Sequence, residues 1–477
     1  MDERQMGIQI EGKIERVNGK ELSYNEFVAK YLAKNQPVVL TGLMDDWRAC
    51  KDWVTDTGCP NLHFFSTHFP NSRVQVADCG VREFTDQKRV EMTVKEFIDH
   101  WAESNASDGD SKSLLYLKDW HFVKEYPEYV AYKTPLLFSD DWLNLYLDHH
   151  RMHKNSDSDQ ENDEISCSDY RFVYMGAKGS WTPLHADVFR SYSWSANVCG
   201  KKKWLFLSPS QCHLIFDRNL KNTVYNIFDN VSEETFPGFK KAIWLECIQD
   251  QNEIIFVPSG WFHQVHNLED TISINHNWYN AHNLSWVWDL LWRDYNEAKG
   301  YIEDIREICD DFEALCQRNL AANTGMNFID FVIFLVRFFL ANAVQVCCHH
   351  RYEIPLWSAS KLTERIAFNL ASIQKIAVKM KSTESVIGNH RFFLDVNETM
   401  VDPEFVKLCI DVSRTYGRIH ESENRNRDME NALVVDMLDY GSSICSIEDF
   451  VEFINDVVAK LGNICSEEKV LLTTLDG

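Results

Sequence analysis

Cysteines in C-x-x-C spacing are missing from this chain of 477 residues, although it has fourteen cysteines, which excludes the common zinc-finger and dithiol arrangements. No N-terminal stretch has the charged-then-apolar pattern of a secretory signal. The expectation is therefore a reduced, intracellular protein, cytoplasmic or nuclear and not secreted. Positive charge is scarce, 48 basic against 72 acidic residues giving a net −24. Such a balance repels nucleic acid and anionic membranes, so neither is expected as a partner, whereas a basic protein substrate is compatible with it. The run 327–348 nearly reaches membrane-spanning length but carries Asp330 and Arg337, and is expected to be a buried or dimerising helix. A cysteine-rich reader module and a basic chromatin-binding tail are also lacking.

What is there centres on Trp181-Thr182-Pro183-Leu184-His185-Ala186-Asp187. On a strand, His185 and Asp187 leave the same face and converge on one point. A third donor, His263, follows the turn Pro258-Ser259-Gly260. Two imidazoles and one carboxylate form a facial triad that leaves half of an octahedral ion open, the arrangement expected of a non-haem Fe(II) oxygenase. Two strands joined around Gly200 come next, the second carrying Lys201-Lys202-Lys203. A buried cation beside an iron site calls for an anion, and a 2-oxo dicarboxylate supplies one while chelating the metal. Period two places Lys202, Trp204 and Phe206 on one face, and Lys201 and Lys203 on the other, where they can reach water.

Thr182-Pro183-Leu184-His185-Ala186-Asp187, Gly200-Lys201-Lys202-Lys203-Trp204, Val257-Pro258-Ser259-Gly260-Trp261-Phe262-His263 and Ile274-Asn275-His276-Asn277-Trp278 follow one another in the order and spacing of the JmjC-domain 2-oxoglutarate oxygenases, which the chain resembles over roughly its first 295 residues. The resemblance implies a mainly β double-stranded β-helix, the cupin or jelly-roll JmjC barrel, with flanking helices and a C-terminal α-helical region. It implies Fe(II), 2-oxoglutarate and O2 as cofactor and co-substrates. It selects His185, Asp187 and His263 as catalytic metal ligands and Lys202, through the family's Gly-x-Lys-x-Trp pattern, for the far carboxylate of 2-oxoglutarate. Thr182 and Tyr116 match co-substrate contacts of related enzymes. Asn275 and Asn277 share a face of their strand and are expected to point into the site, with His276 turned away. His266 is read as structural, and Ser195 is left without a role.

The division expected is an N-terminal α/β part over 1–150, an acidic insertion over 151–169, the barrel over 170–295 and a helical region over 296–477. In the first part a helix is expected over 24–33, short strands over 62–90, and a helix from a Thr93 cap. His149, His150 and His153 form an H-H-x-x-H cluster without a helix signal. Residues 228–240 read as an insertion near the barrel mouth, where insertions shape substrate access. Cys347-Cys348-His349-His350 is a poor metal site, because adjacent residues diverge on a helix. The C-terminal helices suit either support of the barrel or a homodimer.

Oxidative decarboxylation of 2-oxoglutarate at such a centre yields succinate, CO2 and an oxidant that removes hydrogen from a nearby C–H. On a side-chain carbon the product is an alcohol; on an N-methyl group it is a hemiaminal that loses formaldehyde. The branch of the family resembled most implies lysyl hydroxylation of the translation release factor. Histone demethylation at arginine or lysine is the alternative, and a catalytically inactive binding scaffold is a third reading, against which all three ligands and the lysine argue.

Overall fold

Strands in the middle of the chain bury both of their faces: all eight residues of Tyr192–Cys199 are buried, and so are all five of Glu253–Val257. Strands of that kind belong inside a two-layer β structure. The computed structural model describes residues 8–106, 113–152, 169–351, 356–383, 393–420 and 443–459. These fall into two units, one of Met1–Leu137 with Asp169–Trp278, the other of Phe138–Ser168 with Tyr279–Gly477.

The first unit holds fourteen strands: β1 Gln9–Lys13, β2 Glu15–Asn18, β3 Val38–Thr41, β4 Arg73–Glu83, β5 Asp86–Thr93, β6 Leu115–Trp120, β7 Arg171–Gly176, β8 Trp181–His185, β9 Tyr192–Cys199, β10 Lys202–Leu207, β11 Ile243–Gln249, β12 Glu253–Val257, β13 Phe262–Asn267 and β14 Thr271–Trp278. They form a five-stranded sheet in the order β1-β11-β10-β13-β8 and a nine-stranded sheet in the order β2-β3-β12-β9-β14-β7-β6-β4-β5. At the centre, β7, β14, β9 and β12 lie in one layer and β8, β13, β10 and β11 in the other, the jelly-roll arrangement of a cupin. The chain passes from one layer to the other at Gly200, where φ is +75° and a Cβ would stand 2.0 Å from the Asp270 carbonyl oxygen. Only glycine fits there.

The N-terminal part extends the larger sheet at both ends, β2 and β3 at one and β6, β4 and β5 at the other, leaving β5 as an edge. The helix expected over 24–33 is present as Tyr24–Phe27 continued by a π turn, Val28–Leu32; Ser23 and Glu26 cap its start reciprocally, and Phe27 packs on Phe256 at 5.3 Å. Thr93 and Glu96 cap Val94–Ala106 in the same way. Part of the expected strand region is helical instead: Leu62–His68 forms a helix, because the Asn61 side chain accepts the Phe64 N–H and Phe65 is drawn into an aromatic cluster with Trp53 and Trp120. The segment following β10 also differs from expectation. Ile215, Val224, Ile227 and Phe239 pack with Leu205 and Leu207 on the face of β10 opposite Lys202, so this stretch covers the outside of the barrel, and none of residues 208–248 lines the central cavity.

The second unit is helical and discontinuous. Trp142–His149 packs with helices Phe328–Arg351 and Pro403–Ile419: Trp142 stacks on Phe338 at 4.6 Å, and His149 Nε2 meets Asp411 at 2.8 Å. The histidine cluster thus does end a helix, against expectation. His149 is turned to carboxylates and His150 stacks on Tyr146, while His153 lies outside the described residues. Residues 138–150 and 279–295 therefore pack with the helical unit, a division that differs from the expected boundaries. Phe328–Val346 is long and apolar enough to cross a membrane, but most of it is buried in the unit. Its two charges have structural uses: Asp330 caps the helix with Asn327, and Arg337 donates to the Tyr146 hydroxyl at 2.7 Å. The acidic tract 155–166 and the side chains of 347–350 lie outside the described residues.

Candidate active site

β13 pairs with β8 in antiparallel register, setting His263 opposite His185, with ring centroids 4.3 Å apart. Asp187 stands just beyond the end of β8, in extended conformation at the start of the turn Val188–Arg190. One donor atom from each of His185, Asp187 and His263 lies within 4.8 Å of the others, close enough to share an ion.

Each donor is oriented by a neighbour. The Nδ1 of His185 faces the Pro183 carbonyl at 2.8 Å, and that of His263 faces the Trp261 carbonyl at 3.2 Å. A proton on each Nδ1 leaves both Nε2 lone pairs free for a metal. Ser193 donates to Asp187 Oδ2 at 2.7 Å, leaving the other oxygen available. Burial, then the neighbouring His185, pushes the His263 imidazole well down, so it is held in the neutral form that a metal requires. This donor set fits a divalent ion of the iron type, with three protein ligands and open positions.

The triad opens into a cavity of about 420 Å³, which all eight residues expected in the site line. Its floor is tiled by strand register. Ser195, Asn275 and Phe172 form one row across β9, β14 and β7, and Tyr174 lines the cavity from the next, where it pairs with Ser273. Asn275 donates to Ser273 and Asn277 to Ser191, whereas His276 turns to the other face, against Tyr132 and, at 4.0 Å, Trp194. His266 is likewise structural: it stacks on Trp181 and accepts from Gln264 at 2.8 Å, and burial, then Lys203, brings it down to about 4.

Lys202 is 2% exposed and donates to the Ser273 hydroxyl at 2.7 Å and to the Tyr116 hydroxyl at 3.3 Å. No carboxylate among the described residues pairs with it, and burial, with Lys118 adding to the effect, brings it down to about 7. Its neighbours behave as period two requires: Lys201 pairs with Asp250 and Lys203 with Glu246, each at 3.1 Å. A buried, uncompensated ammonium beside two hydroxyls and Thr182 is ready for an anion.

Several residues of the site were not foreseen from the sequence. Ser193, which lines the cavity, and Ser273, which accepts from Lys202, could have been found from period two, since each shares a face with a residue already singled out. Lys118 and Asp119 could not. A bulge between Leu117 and Trp120, with Asp119 at φ +57°, brings these consecutive residues into one cavity, where a regular strand would send them to opposite faces. Asp119 accepts from Tyr174 at 2.6 Å and pairs with Arg89 at 3.0 Å, while Lys118 donates to Gln87 at 2.9 Å.

The family model described as a cupin-like domain matches residues 24–284. The chain is 61% identical to "Arginine-specific demethylase JMJ20" of Arabidopsis thaliana, over 94% of this chain and 97% of that protein. It is 44% identical to "2-oxoglutarate and iron-dependent oxygenase JMJD4" of Danio rerio and 37% identical to the Homo sapiens protein of the same name, in both cases over 66% of this chain and 72% of the relative.

Proposed function

This chain belongs to the cupin-like JmjC family of iron- and 2-oxoglutarate-dependent oxygenases, and from that premise we propose that it oxidises a C–H bond on a basic side chain of a protein, hydroxylating a lysine of the translation release factor. The observation that carries this reading is the meeting, in one cavity, of His185, Asp187 and His263 with a buried lysine that has no carboxylate partner among the described residues.

In this reading the Nε2 atoms of His185 and His263 and one oxygen of Asp187 hold Fe(II), which with bound 2-oxoglutarate and O2 supplies the oxidising power. The Lys202 ammonium, with the hydroxyls of Tyr116, Ser273 and Thr182, receives the far carboxylate of 2-oxoglutarate and fixes its direction. Asn275 and Asn277 offer amide hydrogen-bonding groups to what lies above the floor. Ser193 holds the Asp187 carboxylate in one rotamer. The apolar shell of Trp204, Phe206, Val257 and Trp261 keeps water from the metal side of the cavity. A binding scaffold has no use for a buried unpaired lysine, which lowers stability unless an anion is bound.

A second reading, demethylation at arginine, is favoured by the name of the Arabidopsis relative. The triad serves both outcomes, which are decided by the carbon placed near the metal. The test is mass spectrometry of the release factor and of methylated histone tails after incubation with the purified protein, Fe(II), 2-oxoglutarate and O2. A gain of about 16 Da on an unmethylated lysine is the expected result, because the alcohol product retains one oxygen. A loss of about 14 Da with formaldehyde release moves the assignment to demethylation, since the hemiaminal collapses.

A further inference from the structure

The hairpin of β4 and β5 turns at Phe84-Thr85, between the paired residues Glu83 and Asp86. The first position of such a two-residue turn takes φ above zero and favours glycine. Here it is Phe84, at φ +53° and 90% exposed. A bulky side chain in that conformation is strained, and strain of this kind collects at binding sites.

The tip is held in place. Arg82 Nε donates to the Phe84 carbonyl at 2.8 Å, and its guanidinium lies 4.5 Å over the Tyr225 ring, which packs edge-on to Trp181. Further along the hairpin, Gln87 donates to the Trp181 carbonyl at 3.1 Å. The hairpin is thereby fastened to β8, the strand that carries His185. Thr85, Asp86 and Arg89 of the same hairpin line the catalytic cavity. Val81, in the bulge before the turn, is 44% exposed, and on another part of the rim Val188, next to Asp187, is 37% exposed.

We propose that the tip of this hairpin, Phe84 with Val81, is the docking point for an apolar side chain of the substrate protein that flanks the oxidised residue. The inference rests on the functional reading above and adds how the substrate is chosen. Its occupant follows from continuity: a chain that sends a side chain into the cavity passes over Thr85 and Asp86, and Phe84 is the next surface it meets. A rigid ring presented in advance gives contact area at low entropic cost.

The experiment compares wild type, Phe84→Gly and Phe84→Trp on purified full-length release factor and on a short peptide of the target in which the apolar residues flanking the oxidised one are replaced by glycine. Glycine keeps the left-handed turn and removes only the ring; tryptophan restores an aromatic surface. Phe84→Gly is expected to raise KM for the full-length protein about tenfold or more, the worth of a largely buried Phe ring, with kcat and the KM for 2-oxoglutarate unchanged. Phe84→Trp restores KM, the short peptide is handled equally by all three proteins, and the Kd for release factor, measured without O2, follows KM. Equal KM and Kd in Phe84→Gly and wild type overturn the docking surface alone. So does a change of oligomeric state in Phe84→Gly at unchanged KM, which assigns the tip to a second copy of the chain. If wild type oxidises neither release factor nor methylated histone, the functional reading falls, and the docking surface with it.

Discussion

Ser193, Pro183 and Trp261 each hold one donor of the triad, so losses at donors and at supports should differ in size. His185→Ala or Asp187→Ala is expected to lose iron binding and 2-oxoglutarate turnover together, measured by metal content and succinate formation. Ser193→Ala leaves the three ligands in place and is expected to weaken iron affinity or activity about 10- to 100-fold, the usual cost of a lost support. His276→Ala keeps its iron, since that ring faces Tyr132 and Trp194. Lys202 makes a prediction of opposite signs. Its folded pKa, about 7, lies below its unfolded value, so as pH falls from the ordinary lysine range towards 7 the unfolded chain takes up a proton that the folded one refuses. Stability falls across that window and levels off below it. Lys202→Met should therefore raise the Tm of the cofactor-free protein at neutral pH, yet lose 2-oxoglutarate affinity. In wild type that affinity should weaken as pH rises from 7 to 9, by at most about tenfold per unit, because binding must then take up a proton. Calorimetry with a metal that does not react with O2 checks both.

Single turns decide whether elements come together. Gly200→Ala drives a Cβ into the Asp270 carbonyl at a left-handed position and is expected to cost several kcal/mol, or to prevent folding, read by chemical denaturation. In the helical unit, Asp411 raises the His149 pKa. That contact stabilises the unit fully below the ordinary histidine pKa and is lost as pH rises through the raised value. Asp411→Asn should flatten this part of the stability profile in a pH series of Tm. The barrel elements were legible in the sequence because burial on one face leaves a period of two and burial on both leaves a short apolar run bounded by turns. The triad was legible from its donor types, although the pairing of β8 with β13 is irregular between Thr182 and His185, and Lys202 was legible because β10 keeps that period. Leu62–His68 was not, since its helix depends on a cap and on aromatic partners outside it, Trp53 and the distant Trp120. Lys118 and Asp119 were hidden for another reason: a bulge breaks the alternation from which side-chain direction is read.

In the second unit one buried ion pair joins three distant stretches of chain. Arg365 meets Asp140 at 3.0 Å, with side-chain exposures of 9% and 2%, and Asp140 also accepts from Trp142 and Asn280. Arg365→Met should destabilise the unit by about 3–5 kcal/mol, because it leaves a carboxylate buried without its cation; adding Asp140→Leu should return much of that loss. Denaturation of both variants, followed in the helical signal, tests it. These boundaries could not be read from sequence, since nothing in 138–150 announces that its partners come after residue 278. The same discontinuity sets an order of events on the ribosome. Helix Trp142–His149 emerges before the barrel strands, but Arg337 lies 191 residues beyond its partner Tyr146, and Asp411 lies 262 beyond His149. At about 5–20 residues per second the apolar face of that helix waits roughly 10 to 50 seconds for cover. A nascent chain of this protein thus carries a sticky segment through the whole synthesis of its catalytic barrel, and its yield in the cell should depend on chaperones that bind exposed helices during translation.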